Sequence, residues 1–293
     1  MLDTSWLERL ELFLWPLCAA LLAGLVLPAV GVHLLVRRAS FHGIVLPQFA
    51  AAGVVFAYAL LPWWIETIGL GGLTLEGALH DPHAASTFGL AWGAVFTVCG
   101  ILLLVRAARG SGSEVARAAA GFATASALVL VLGRLSPVGR GPIDALLGGE
   151  VLGVGLHEFE VLAAALALSA LLLAWFGRDI LLASFDRESA RVLGLPTGAI
   201  EALFQGLVGL AVAAGTLTLG PVLVFGLLVL PPLAARPWVR SMRAFVALSV
   251  ALGAASALLG EAAALHWDLP LGPSVVLTAA VALVPAPLAA RRT

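Results

Sequence analysis

The sequence predicts an all-α polytopic membrane protein with eight or nine spanning helices. Three observations carry that prediction. Of the 293 residues, 61% are hydrophobic and 11% are charged, and the mean hydropathy is +1.06; a soluble domain carries roughly 25% charged residues. Apolar stretches near the length a bilayer-spanning helix needs, about 20 residues, recur along the chain. The basic charge is all arginine, with no lysine, and it gathers on alternate connections. A net charge of -1 argues against a nucleic-acid partner.

The spans are expected near 12–35, 44–62, 86–105, 117–133, 158–176, 200–219, 220–235, 244–262 and 273–289, within a single membrane domain over residues 1–293. No basic run and no small-residue cleavage site precede the first, so it reads as a retained span rather than a signal peptide. Gly220-Pro221 is either a tight turn between two spans or a break inside one bent span, which leaves the count at eight or nine. Small residues at Ala50-Ala51-Ala52-Gly53 and from Ala251 to Ala255 allow close helix packing. Cys18 and Cys99 lie alone in apolar stretches and read as small core residues.

Arginine sets the orientation. Arg37/Arg38, Arg106/Arg109/Arg117, Arg178/Arg187/Arg191, Arg236/Arg240/Arg243 and Arg291/Arg292 fall on one side, thirteen of sixteen. Arg9, Arg134 and Arg140 fall outside that set. The positive-inside rule makes the richer side cytosolic, with the N-terminus outside and the C-terminus in the cytosol. The loop 177–199 then faces the cytosol and holds a short polar helix. Asp186 is a good N-cap, Glu188 sits in the first turn and Arg191 near the end. Gly194 can close the helix in the left-handed region, and Pro196 stops it. About two turns cannot stand alone in water, so a soluble partner is expected to pack on them.

The spans hold almost no ionisable residues, and Glu150, Glu201 and Glu261 fall near predicted ends where water reaches them. Secondary carriers place carboxylates deeper. There is no phosphate-binding loop of the Walker type; Gly110-Ser111-Gly112-Ser113 reads as a flexible linker with no following lysine. The chain is therefore expected to bind no ATP and to carry no catalytic residue; a separate subunit would supply the nucleotide site. His80-Asp81-Pro82-His83 reads as a solvated loop. His157-Glu158 lacks the second histidine of a zinc-protease helix. His33 and His42 flank the Arg37/Arg38 connection and read as headgroup-level residues, and Arg134 and Arg140 as solvated loop charge.

With these motifs in view, the chain resembles the permease subunit of the metal-ion (zinc, manganese or iron) ABC importers. Phe185, Asp186, Glu188, Ala190 and Gly194 match a Phe-Asp-x-Glu-x-Ala-x-x-x-Gly element. Gly220-Pro221-Val222-Leu223-Val224 to Leu230-Pro231 and Ala235-Arg236 match a second segment. Gly31 to Arg38 with Ala39-Ser40-Phe41, Leu146 to Leu152, and Asp268 to Pro273 are looser matches. The resemblance implies a type II ABC importer membrane domain in the bacterial inner membrane. It also implies a second permease copy or paralogue, two ATPase subunits below and an extracytoplasmic substrate-binding protein outside, with membrane lipid around it. Phe185, Asp186, Glu188, Ala190, Arg191 and Gly194 would form the helix that seats in the ATPase.

One departure bears on cargo. The family's second span begins with an Asp and a His four residues apart, a spacing that puts both on one helix face. Here Ile44 and Gln48 occupy those places, with His42 just before and Pro47 expected to disturb the helix. Isoleucine coordinates nothing, and glutamine offers one neutral oxygen. An ion-coupled secondary carrier, or a membrane subunit that has kept the fold and lost metal cargo, are the rival expectations.

Overall fold

The computed structural model describes residues 4–37, 42–68, 82–107, 113–136 and 154–284, with the backbone alone at 4–12, 42, 68, 82–87, 107 and 114. In these residues the chain forms helices α1 (Thr4–Val36), α2 (His42–Ile68), α3 (Pro82–Ala107), α4 (Glu114–Leu135) and α5 (Leu156–Phe185). The short α6 (Arg187–Val192) follows, then α7 (Thr197–Leu219), α8 (Pro221–Ala235), a 3-10 turn (Arg236–Trp238), α9 (Met242–Trp267) and α10 (Leu271–Val281). Among the described residues, eight helices are long and apolar enough to cross a membrane, and α10 is a shorter apolar helix. The chain is a multi-pass membrane protein. The last expected span, 273–289, is seen as α10 and a turn over 282–284; its remainder lies outside the described residues.

The ambiguity at Gly220-Pro221 resolves into two helices. Gly220 adopts φ 81°, which glycine takes without the steric cost a Cβ brings. Its N–H donates to Thr216 O at 3.0 Å, and Pro221 opens α8, where its missing N–H costs nothing. The fifth span runs on past 176 to Phe185, so Arg178 lies on the exposed side of α5 rather than in a loop. Pro47 does not break α2, which is continuous from His42 to Ile68. At that position the proline forfeits one bond near the helix start.

The ends of α1, α3, α5 and α8 and the starts of α2, α7 and α9 meet at one face. Two cavities show this: one joins Leu34, Leu46, Ile101, Ala183 and Glu201, the other Val36, Leu181, Arg236 and Met242. This face carries Arg37, Arg187, Arg236 and Arg240, as the arginine pattern predicts. At the opposite end Trp63, Trp64, Phe88 and Trp92 pack ring against ring, the placement of an interfacial aromatic belt.

The core is formed by α1, α7 and α8 with one face of α5, and Leu27, Leu166, Leu223 and Leu227 are fully buried. The outer helices turn leucine outward instead: Leu103 on α3, Leu130 on α4, Leu171 on α5 and Leu259 on α9 are exposed. Such a surface suits lipid rather than water. Of the two cysteines, both free, Cys18 is half-buried but Cys99 is exposed on α3, so only the first fits the core reading. Glycine sets the closest approaches. A Cβ at Gly24 would meet Gly253 O at 2.8 Å, and one at Gly31 would overlap the carbonyl of Leu228. Backbone cannot yield as a side chain can. Gly31→Ala is expected to lower stability by about 1–3 kcal/mol through overpacking, read as a lower melting temperature in detergent. Gly206→Ala, where a Cβ meets nothing within 4 Å, is expected to leave it unchanged.

Candidate functional site

The short helix of the 185–196 segment forms where the residues place it. Asp186 caps α6: its Oδ1 accepts from the Ser189 N–H at 2.9 Å, and its Oδ2 accepts from the Ser189 hydroxyl. These bonds hold the Asp186 carboxyl below the usual carboxylate range. The cap is therefore charged at neutral pH, and its contribution is lost only as pH falls through that lowered value. The other end is a Schellman closure. The Leu195 N–H donates to Ala190 O at 3.0 Å and the Gly194 N–H to Arg191 O at 2.9 Å, with Gly194 at φ 78°.

Packing divides α6 into two faces. Ala190 is fully buried in the core cluster, and Leu195 packs on the same cluster, so the closure carries its expected apolar contact. The other face is open: Phe185 is 71% exposed, Val192 87% and Leu193 68%. Glu188 and Arg191 are exposed beside them. The end of α5, the short α6 and its C-cap thus present three large apolar side chains, Phe185, Val192 and Leu193, on the arginine-rich face.

Behind α6 lies a cavity of about 330 Å³ that sequence reasoning did not find. Arg37, at the end of α1, donates from Nη1 to Glu201 Oε1 at 2.9 Å, and its guanidinium lies 4.1 Å over the Phe204 ring. Gln205 Nε2 donates to the same carboxylate oxygen at 3.3 Å. Arg187, the first residue of α6, lines the same cavity. The Arg37 side chain is 12% exposed and that of Glu201 37%. Arg37 Nε and Nη2 are buried with no hydrogen-bond partner, so the guanidinium depends on Glu201 and the ring for compensation. Arg37 and Glu201 stand 164 residues apart, and sequence marked each only by its nearness to a span end. The one local signal is the Glu201–Gln205 spacing of four, which puts both on one helix face.

Two residues sit deeper than the sequence suggested. His33 is not at headgroup level: it is buried, its Nδ1 2.9 Å from Ala29 O and its ring 6.4 Å from that of Phe204. Glu261 is 6% exposed on α9, with Oε1 buried and without a partner, where access to water was expected. Neighbouring helices cover both positions, which a one-dimensional hydropathy pattern does not register.

At the start of α2, Ile44 is half-buried against the cluster of Val45, Phe49, Ala118 and Ala125, on which Leu104 also packs. Gln48 is half-buried one turn on. His42 opens the helix, and its side chain lies outside what is described, as does that of His83; His80, Asp81 and Glu150 lie outside the described residues altogether. So do Arg38 with Ala39-Ser40-Phe41, the Leu146–Leu152 segment, the 110–112 part of the linker, and Arg109, Arg140, Arg291 and Arg292. Asp268, by contrast, is described: it ends α9 at φ 55°, and Pro270 leads into α10. No group of three His, Cys, Asp or Glu side chains placed to hold a metal ion occurs among the described residues.

Comparison with known proteins agrees with this architecture. A model of the ABC 3 transport family matches residues 9–290. A Thermotoga maritima protein named as a metal transport system membrane protein is 30% identical over 275 residues, covering 93% of this chain and 86% of its own length. The manganese transport system membrane protein MntC of Bacillus subtilis is 24% identical over 95% of this chain; the match spans 61% of that longer protein. The zinc transport system membrane protein TroC of Treponema pallidum is 26% identical over 88% of the chain. Among solved structures, PsaBC from Streptococcus pneumoniae in complex with a Fab aligns with a TM-score of 0.74 at 21% identity, covering 97% of this chain and 94% of that one. At that identity the likeness speaks for the fold.

Proposed function

The chain belongs to the ABC 3 transport family, and from that membership we propose that it is the permease subunit of an ABC importer for divalent metal ions, powered by a separate ATPase. The observation that carries the reading is α6, a helix capped at both ends and anchored by buried Ala190, which with its flanking residues presents Phe185, Val192 and Leu193 outward. Unpartnered apolar side chains of that size on a polar segment favour a protein partner. In the proposed complex this face is cytosolic, each of two ATPase subunits receives one α6, a second permease copy or paralogue completes the path, and an extracytoplasmic binding protein delivers cargo. The C-terminus then lies in the cytosol.

Motion of the ATPase would reach the bundle by two routes. α6 is continuous in sequence with α5 and α7, so a push on its exposed face turns both helix ends. Arg187 and Glu201 share a cavity with Arg37, so the same push is felt at the end of α1. The cargo reading rests on the relatives, whose names specify manganese or zinc. Because Ile44 and Gln48 supply at most one amide oxygen, the remaining ligands along the path are proposed to come from the paired subunit.

Proteoliposomes holding the chain with its ATPase and binding protein are expected to take up Mn²⁺ or Zn²⁺ only with ATP, with Fe²⁺ tested alongside. In this assay Glu261→Gln is expected to keep uptake, since a powered importer needs no titrating carboxyl. Uptake that runs without nucleotide, collapses with the proton gradient and disappears in Glu261→Gln would instead establish an ion-coupled carrier. ATP hydrolysis without uptake of any of the three ions would establish a fold-retaining subunit that has lost metal cargo.

A further inference from the structure

A second groove, of about 240 Å³, opens on the arginine-rich face away from the Arg37–Glu201 pair. Val36, Leu181 and Phe185 contribute from α1 and α5, and Met242 and Phe245 from α9. Arg236 and Arg240, from the connection between α8 and α9, supply its charge. Arg236 lies 5.7 Å over the Phe245 ring. Both arginines are exposed, and neither forms an ion pair among the described residues. The sequence offers them no local partner: no Asp or Glu occurs between Glu201 and Glu261, and Arg243 adds a third positive charge.

Depth identifies what could neutralise them. Arg236 falls within the last turn of the apolar segment Pro221–Trp238, and Met242 begins the next one, Met242–Trp267. Trp238, 51% exposed, lies between them. Tryptophan and arginine in the terminal turns of spans sit at the level of lipid headgroups. The groove lies between α5 and α9, which both pack on α1 without substantial contact with each other. A furrow of that kind accepts an acyl chain below a charged mouth.

We propose that this groove is a binding site for an anionic phospholipid, with the phosphate held by Arg236 and Arg240 and the glycerol and upper acyl carbons against Leu181, Met242 and Phe245. Basic pockets between spanning helices recognise phosphate headgroups by this combination of charge and apolar wall. Of the residues that α6 and its flanks offer, only Phe185 also lines the groove, whose apolar wall comes from the last turns of α1 and α5 and the first turn of α9, so a lipid rather than a soluble protein fits it.

The full-length chain in neutral detergent, titrated with phosphatidylglycerol, phosphatidylcholine or soluble glycerol phosphate and read by native mass spectrometry, tests this. Phosphatidylglycerol is expected to bind in preference to phosphatidylcholine, and glycerol phosphate not to bind. Arg236→Gln and Arg240→Gln are each expected to weaken phosphatidylglycerol binding roughly fivefold, and Arg106→Gln, on the same face but outside the groove, to leave it unchanged. Melting curves confirm that the variants are folded. Undiminished binding in the double variant, or equal weakening by Arg106→Gln, overturns the proposal. Glycerol phosphate binding as tightly as the lipid would make it a free-phosphate site. Purified ATPase displacing bound phosphatidylglycerol from wild type would assign the groove to the protein partner.

Discussion

In the reconstituted complex, Gly194→Val is expected to leave the permease inserted and the ATPase active while uptake per ATP hydrolysed falls about tenfold. A Cβ at this position meets no atom within 4 Å, so the effect comes from backbone conformation alone. At φ 78° a β-branched residue is strained by roughly 1–2 kcal/mol. The closing bonds from Leu195 to Ala190 and from Gly194 to Arg191 would open, and a helix of six residues has no others to spare. Since 1.4 kcal/mol is tenfold in an equilibrium, the population of correctly presented α6 falls by that order. Val192→Asp is expected to give the same phenotype by another route, placing a charge where an apolar contact is needed without touching the caps. Glu188, exposed in the first turn, is expected to act likewise if it meets the partner. Full uptake in both Gly194→Val and Val192→Asp would remove α6 from the coupling path.

Glu201→Ala is expected to destabilise the chain by about 2 kcal/mol, measured as a fall in melting temperature in detergent. Removing one member of a fully buried ion pair costs roughly 3–5 kcal/mol, because the other charge is left without compensation. Here the value is lower, since Glu201 is 37% exposed and water screens part of the loss. Arg37 would keep only the Phe204 ring, with all its donors on the cavity side unpaired. The double change Arg37→Met with Glu201→Leu is expected to recover the melting temperature, as apolar isosteres of a buried pair do. It is expected not to recover coupling if the pair carries motion from α6 to α1. A double variant that restores both would make the pair purely structural.

The order of the spans was legible because membrane insertion is governed by local composition: a run of about 20 apolar residues has few alternatives in lipid. The caps of α6 were legible for a similar reason. Asp186 and Gly194 act within a few residues of themselves, and the structure places both in the role their chemistry predicts, whereas Pro196, read as the stop of α6, leads into α7. The family element over 185–194 was read from the same residues. The Gly220-Pro221 connection was half legible, since its residues suit a tight turn and a kink equally well.

The class of molecule, its helices and the short polar helix that interrupts them are thus all properties of neighbours along the chain. Tertiary structure alone decided that Arg37 reaches Glu201 across 164 residues, that His33 and Glu261 are buried rather than wetted at span ends, and that Arg236 and Arg240 share a groove with Leu181 and Phe245. Burial and pairing depend on which helices lie alongside, and close approaches such as Gly24 against Gly253 fix that arrangement. Hydropathy measures how apolar a segment is, and it carries no information about which of its faces meets protein and which meets lipid.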